Sequence, residues 1–161
     1  MKKISLILFF IILCSVSVSA QQLRVRVFSQ QKIKQTSFVP SFGRYSVEID
    51  GNLTRLSRTS NVKLSALNGK VEVRINDSVF ANSEKVTFKS EGIKSFFRLK
   101  PIAPEIAERR YDDALEVSVN GNGNLVLINI VEQENYIAGV VQSETWGATK
   151  NIDFFKVQAI C

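Results

Sequence analysis

Apolar and polar residues trade places with a period of two along much of residues 22–131, and with a helical period from Glu132 onward. Leu23, Val25 and Val27 alternate with Arg24, Arg26 and Phe28, which predicts a first strand. Tyr45 to Ile49 alternates up to Asp50-Gly51-Asn52, a hairpin-type turn. Leu53 to Arg58 and Val62 to Ala66 follow, then a second turn at Asn68-Gly69 and an alternating strand from Val71 to Ile75. Val86 to Lys89 and Phe96 to Leu99 are shorter candidates. Leu115, Val117 and Val119 alternate up to Asn120-Gly121-Asn122-Gly123, and the nearly all-apolar Leu125 to Val131 reads as a central strand buried on both faces. Lys100-Pro101 to Pro104 reads as a linker.

Glu132-Gln133-Glu134-Asn135 opens a helix with acidic residues in its first turn, where the dipole favours them. Tyr136, Ile137, Val140 and Val141 form its apolar stripe, and Gly147 ends it. A second helix is expected from Asn151 to Cys161 on the spacing of Ile152, Phe155, Val157, Ala159 and Ile160. The fold class expected is α+β: antiparallel strands over about residues 22–131, then helices over 132–145 and 151–161. The second helix runs to the last residue on apolar side chains, as in a fragment of a longer chain, so the chain as given is expected to be inactive.

Composition narrows the chemistry. The 161 residues suit one ordinary domain. With no His, a Ser-His-Asp or Cys-His mechanism and His-ligated metals are excluded within the sequence, and 2 Cys cannot build a CxxC zinc site. Neither a metal nor a cofactor is expected. Met1-Lys2-Lys3, the apolar run Ile4 to Val18 and the small residues Val18-Ser19-Ala20 make a secretory signal peptide over residues 1–20. An uncleaved anchor and, on Cys14, a lipoprotein are the alternatives, although the run is shorter than the roughly 20 residues that span a bilayer. Export follows, with no membrane span after cleavage.

The charge is uneven. Residues 21–100 hold 15 Lys and Arg against 6 Asp and Glu, whereas residues 101–161 hold 4 against 9. A basic β-rich region (21–100) and a more acidic second region (101–161) are the organisation expected. Most basic residues occur singly at alternating positions, as solvated faces do; the functional alternative is attraction to an acidic envelope polymer. Nucleic acid is not an expected partner, for no basic stripe is clustered.

Glu144 is the carboxylate in an awkward place. It follows Ile137 by seven residues and Val140 by four, so it continues the apolar stripe at about −20° and +40°. It also falls in the last helical turn, where exposed carbonyls disfavour negative charge. Partial burial and the dipole would both raise its pKa and keep an acid protonated near neutrality, as general-acid catalysis requires. The structural alternative is a frayed helix end with Glu144 in water.

The run Leu127 to Glu144, with Tyr136-x-x-Gly139-Val140-Val141-x-x-Glu144 followed by Lys156-Val157-Gln158-Ala159, resembles the core motif of the stage II sporulation protein D / LytB amidase-enhancer family. Arg110-Tyr111 before the Leu115–Val119 strand resembles that family's approach to the motif, so the close resemblance covers about Arg110 to Cys161. It implies an exported protein acting on peptidoglycan glycan strands, either as a lytic transglycosylase or as a non-catalytic partner that stimulates a cell-wall amidase. It implies Glu144 as the catalytic acid. Trp146, Lys156 and Gln158 are candidate substrate-binding residues, with core packing the alternative for Trp146 and a solvated side chain for Lys156. Thr145-Trp146 stands where the family has Met-Pro, and Glu132-Gln133 where it has Pro-Leu. Single-acid chemistry suits the spacing: Glu134 is ten residues from Glu144, about 15 Å along a helix, too far for a paired-carboxylate glycosidase. Asp153 remains open as a second acid. Tyr136 reads as packing.

Overall fold

The computed structural model describes residues 21–145, without the side chains of Ile93, Glu144 and Thr145. Along the chain come β1 (Gln22–Val27), β2 (Gln35–Ile49), β3 (Asn52–Leu56), β4 (Val62–Leu67), β5 (Lys70–Ile75), β6 (Ser78–Ser83), β7 (Lys85–Ala103), β8 (Arg109–Asp112), β9 (Ala114–Val119), β10 (Leu125–Glu132) and α1 (Gln133–Thr145). The strands form one antiparallel sheet in the order β1-β10-β9-β7-β2-β4-β5-β6, with β3 paired to β2 and β8 to β7.

The two-helix α+β expectation is corrected. Among the described residues the protein is mostly antiparallel sheet with a single short helix, α1. The helix expected over 151–161 lies outside the described residues, as do Trp146, Lys156 and Gln158. Sheet takes up segments that look irregular in the sequence. Gln35 to Phe42 pairs with β7, and Ser78 to Ser83 pairs with β5. The two short candidates Val86–Lys89 and Phe96–Leu99 are parts of one 19-residue strand. That strand continues through Lys100 to Ala103, so β7 crosses the point where the charge balance changes sign.

Three two-residue hairpins set the register. Asp50-Gly51, Asn68-Gly69 and Asn76-Asp77 each place both residues at positive φ, between 49° and 81°, as a type I′ turn needs. Glycine, Asn and Asp reach that region at the least steric cost.

The two long strands bend. β2 and β7 pair from Gln35↔Ala103 to Ile49↔Val86, with register shifts on either side of Phe42. Pro40 lacks the N–H for a continuous ladder, and Gly43 takes φ 81°, so the irregularity falls where these residues favour it. The first half of β2 pairs with β4 and the second half with β3, and β7 likewise hands over from β9 to β8. The sheet thereby folds over on itself, and β5 comes against β9.

Aromatic rings fill the fold. Phe38, from the first half of β2, stacks 4.0 Å from Phe88 and 4.9 Å from Phe97, and meets Tyr45 edge-on at 5.5 Å. All four are buried, together with Val47, Val62, Leu64, Val71, Val73, Leu99, Leu115 and Val117. Leu125–Val131 is not central and not buried on both faces. It lies second from the β1 edge, with Leu125, Leu127, Asn129 and Val131 buried and Val126, Ile128 and Ile130 half-buried. Arg24 and Arg26 of β1 stand opposite Ile130 and Ile128, and their aliphatic stems are the natural cover for that outer face.

On that face Glu116 accepts from Arg24 at 2.7 Å and lies 3.2 Å from Lys85, with its side chain only 13% exposed. Burial pushes this carboxyl up, but the hydrogen bonds and charges of Arg24 and Lys85 outweigh it and leave the pKa below the ordinary value. A lowered pKa stabilises the fold above the unfolded value, near 4.3, and that stability is lost as pH falls through the folded value. Glu116→Gln is expected to cost about 1 kcal/mol at neutral pH and progressively less on acidification, in denaturant titrations from neutral to acid pH.

Candidate functional site

α1 packs over β10 and β1 and encloses a cleft of about 250 Å³ against the sheet. Tyr136, Gly139, Val140 and Ser143 line one side, at spacings of three and four that put them on one helix face. Arg110, Tyr111 and Asp112 of β8, with Asn129 and Val131 of β10, line the other, and Asn135 stands in the first turn of α1. Val141 is buried and Ile137 half-buried, so the stripe that faces the sheet is offset from the face that lines the cleft. Tyr136, expected as packing, is 40% exposed and belongs to the cleft. It lies about 100° round the helix from Ile137, enough to turn it from the sheet to the opening.

The helix is anchored from a distance. Asp113, in the left-handed region at φ 63°, accepts from the Glu132 amide at 2.9 Å and from Asn135 Nδ2 at 3.2 Å. A carboxylate at the start of a helix meets unpaired amides and the positive end of the dipole. The Asp113 amide donates to the Ser95 carbonyl at 2.9 Å, and the Tyr45 hydroxyl donates to the Asp113 carbonyl at 2.8 Å. Burial first, and then the charges of Asp113 and Asp112, push the Tyr45 phenol above its ordinary value, so it remains a donor. Asp113 thus ties α1 to both long strands. The sequence signal is the Asp112-Asp113 pair just before a strand, which by itself does not say what it caps.

Asn129 holds the floor of the cleft. It is buried, and its Nδ2 donates to the carbonyls of Asp112 at 2.7 Å and Ala114 at 2.9 Å. Asn129→Ala removes both bonds and leaves two carbonyls without those partners. A loss of roughly 2–3 kcal/mol is expected in denaturant unfolding.

Position 144 is in the last turn of α1, four residues after Val140 and next to the cleft-lining Ser143. The backbone therefore brings Glu144 to the end of the helix that walls the cleft; its side chain, and all of Trp146, Lys156 and Gln158, lie outside the described residues. Glu134 is exposed in the first turn, at the far end of the same helix. Among the described residues that line the cleft the carboxylate is Asp112, which lies 3.3 Å from Arg110. No cluster of three or more His, Cys, Asp or Glu among the described residues is placed to hold a metal ion.

A larger hollow of about 540 Å³ lies at the other end of the sheet, between the Asp50-Gly51 turn, Lys70 and residues 82–85. Its charges largely answer one another: Glu48 pairs with Lys89 at 2.7 Å, Lys85 with Glu116, and Asp50 accepts from Ser83 at 2.7 Å. It shares no lining residue with the cleft beside α1.

Comparison with protein-family models, with curated proteins and with solved structures finds no match to this chain. The family resemblance stands on the motif residues themselves. No described helix is long and apolar enough to cross a membrane.

Proposed function

We propose that the protein is exported and acts on peptidoglycan as a lytic transglycosylase, with Glu144 as its acid and base. The observation that carries this reading is the motif Tyr136-x-x-Gly139-Val140-Val141-x-x-Glu144 falling on α1, which walls a cleft. Tyr136, Gly139 and Val140 of the motif line that cleft, and Glu144 follows one turn after Val140.

One carboxyl group is enough for this chemistry. The protonated Glu144 gives its proton to the glycosidic oxygen as the bond from that oxygen to the muramic acid C1 breaks. The C6 hydroxyl oxygen of the same sugar then bonds to C1, and its proton passes to the Glu144 carboxylate. The strand is cut, a 1,6-anhydro ring forms, no water is consumed, and the acid is restored. Asp112 is held by Arg110, and Glu134 is at the opposite end of α1, so neither is needed as a second catalytic carboxyl.

A second reading, a wall-binding module that stimulates an amidase without cutting glycan, is favoured by the excess of basic residues over positions 21–100. Incubation of the longest natural form of the protein with peptide-stripped glycan separates the two. Products ending in 1,6-anhydromuramic acid support the enzymatic reading. Reducing ends without the anhydro ring, or intact strands sedimenting with the protein, overturn it; intact strands together with a faster amidase establish the second.

A further inference from the structure

We propose that Phe42, Phe96 and Arg110 form a sugar-stacking subsite for an anionic glycan strand, continuing outward from the α1 cleft. The three residues come from neighbouring strands β2, β7 and β8 and stand in a row across the outer face of the sheet. The two phenyl rings lie 10° from parallel with centroids 5.4 Å apart, and the Arg110 guanidinium sits 3.8 Å above the Phe96 ring. One face of Phe42 is therefore taken by Phe96, and the ring as a whole is 51% exposed. Stacking fixes its orientation before any ligand arrives, which lowers the entropy cost of binding.

The electron-rich face of an aromatic ring attracts positively polarised hydrogens, and the C–H groups on one side of a pyranose present such a surface. The surroundings select the charge of the strand. Strand alternation puts Arg98 on the same face as Phe96, and Lys94 and Arg44 are exposed two residues before Phe96 and two after Phe42. Arg98 and Arg110 are answered by Glu108 and Asp112, and Arg44 stands opposite Glu91, whose carboxyl its charge helps to hold down, whereas Lys94 has no ion-pair partner among the described residues. An apolar row edged by four basic side chains against three acidic ones fits a polymer of sugars bearing carboxylates better than it fits an apolar protein surface. Arg110 also lines the cleft, so a strand lying over the row leads to α1 without a gap. The identity of that strand as peptidoglycan glycan rests on the function proposed above; the stacking geometry does not.

The test compares the full chain with Phe42→Ala and Phe42→Trp by titration calorimetry. The probes are peptide-stripped glycan strands, the same strands with amidated carboxylates, alginate as an unrelated acidic polysaccharide, and a single-stranded DNA oligonucleotide. Phe42→Ala is expected to weaken binding of stripped strands about tenfold, and Phe42→Trp to retain it. Amidation is expected to weaken binding to the parent chain. Unchanged circular dichroism confirms that the exposed substitution leaves the fold intact. Stripped strands bound equally by parent and Phe42→Ala overturn the subsite and leave the proposed function standing. Alginate bound through Phe42 with no binding of stripped strands upholds the subsite and overturns the peptidoglycan reading. Tighter Phe42-dependent binding of DNA than of any glycan, or no binding of either polysaccharide, overturns the subsite.

Discussion

Glu144→Gln is expected to slow the cutting of peptide-stripped glycan by about 10²–10⁴-fold, the usual worth of a positioned general acid. Glutamine keeps the length and planarity of the side chain but has no proton of suitable acidity to give. Affinity for glycan should therefore stay within about twofold, since the substitution removes a step that exists only in the transition state. Glu144→Asp is the informative companion. It keeps the acid but withdraws it by one methylene, so an intermediate loss is expected if placement matters. Counting 1,6-anhydro ends in the digest reads the rate, and sedimentation with stripped strands reads the binding. Parent-level cleavage by the glutamine variant would remove Glu144 from the mechanism. Binding and amidase stimulation without cleavage in both forms would transfer the cleft to the non-catalytic reading.

The reach of the sequence toward this site has a physical limit. The stripe that leads to Glu144 is a local property, and local periodicity is what a sequence displays most directly. Val141 buried and Ile137 half-buried are what that stripe implies, while Tyr136 and Val140 of the same stripe line the cleft. Asp113 could not be found the same way. It caps α1 across 19 residues of chain to Glu132, and only the fold brings the two together. Tyr136 shows the opposite failure: grouped with its neighbours as apolar, it faces the cleft because a single helical step turns it off the packed side.

The sheet divides in the same manner. The Asp50-Gly51 and Asn68-Gly69 hairpins are legible because those dipeptides reach the left-handed region cheaply. The Asn76-Asp77 turn has the same backbone without a glycine, and β6 beyond it exposes Val79 and Phe80 rather than alternating cleanly. β2 and β7 are the least legible strands. Each bends, and a bent strand shifts its inward positions partway along, which breaks the period-two pattern that would reveal it. In the nearly all-apolar β10, side-chain character says little about which neighbour covers the second face; Arg24 and Arg26 stand there, residues that look solvated in the sequence.

The β2 bend also carries the largest expected loss of stability, in Gly43→Ala. Gly43 holds φ at 81°, where an alanine is strained by about 1–2 kcal/mol. The added Cβ would also overlap Ser95 Oγ and sit 2.8 Å from Ser95 Cβ and 3.0 Å from Ser95 Cα. Ser95 is 2% exposed, and its carbonyl is held by the Asp113 amide, so the overlap cannot be relieved by rotating a side chain into solvent. Backbone must move, and overpacking of this kind adds about 1–3 kcal/mol. A total of about 2–5 kcal/mol is expected in denaturant unfolding. The two contributions separate in a second background. Ser95 Oγ is buried with no hydrogen-bond partner, so Ser95→Ala alone should be neutral or slightly stabilising. Gly43→Ala combined with Ser95→Gly removes the nearest contacts and should recover the steric part, leaving the φ strain and the cost of the second glycine. Equal losses for Gly43→Ala in both backgrounds would assign the whole effect to φ; no loss in either would mean that β2 can straighten here, and that the fold-over does not depend on this bulge.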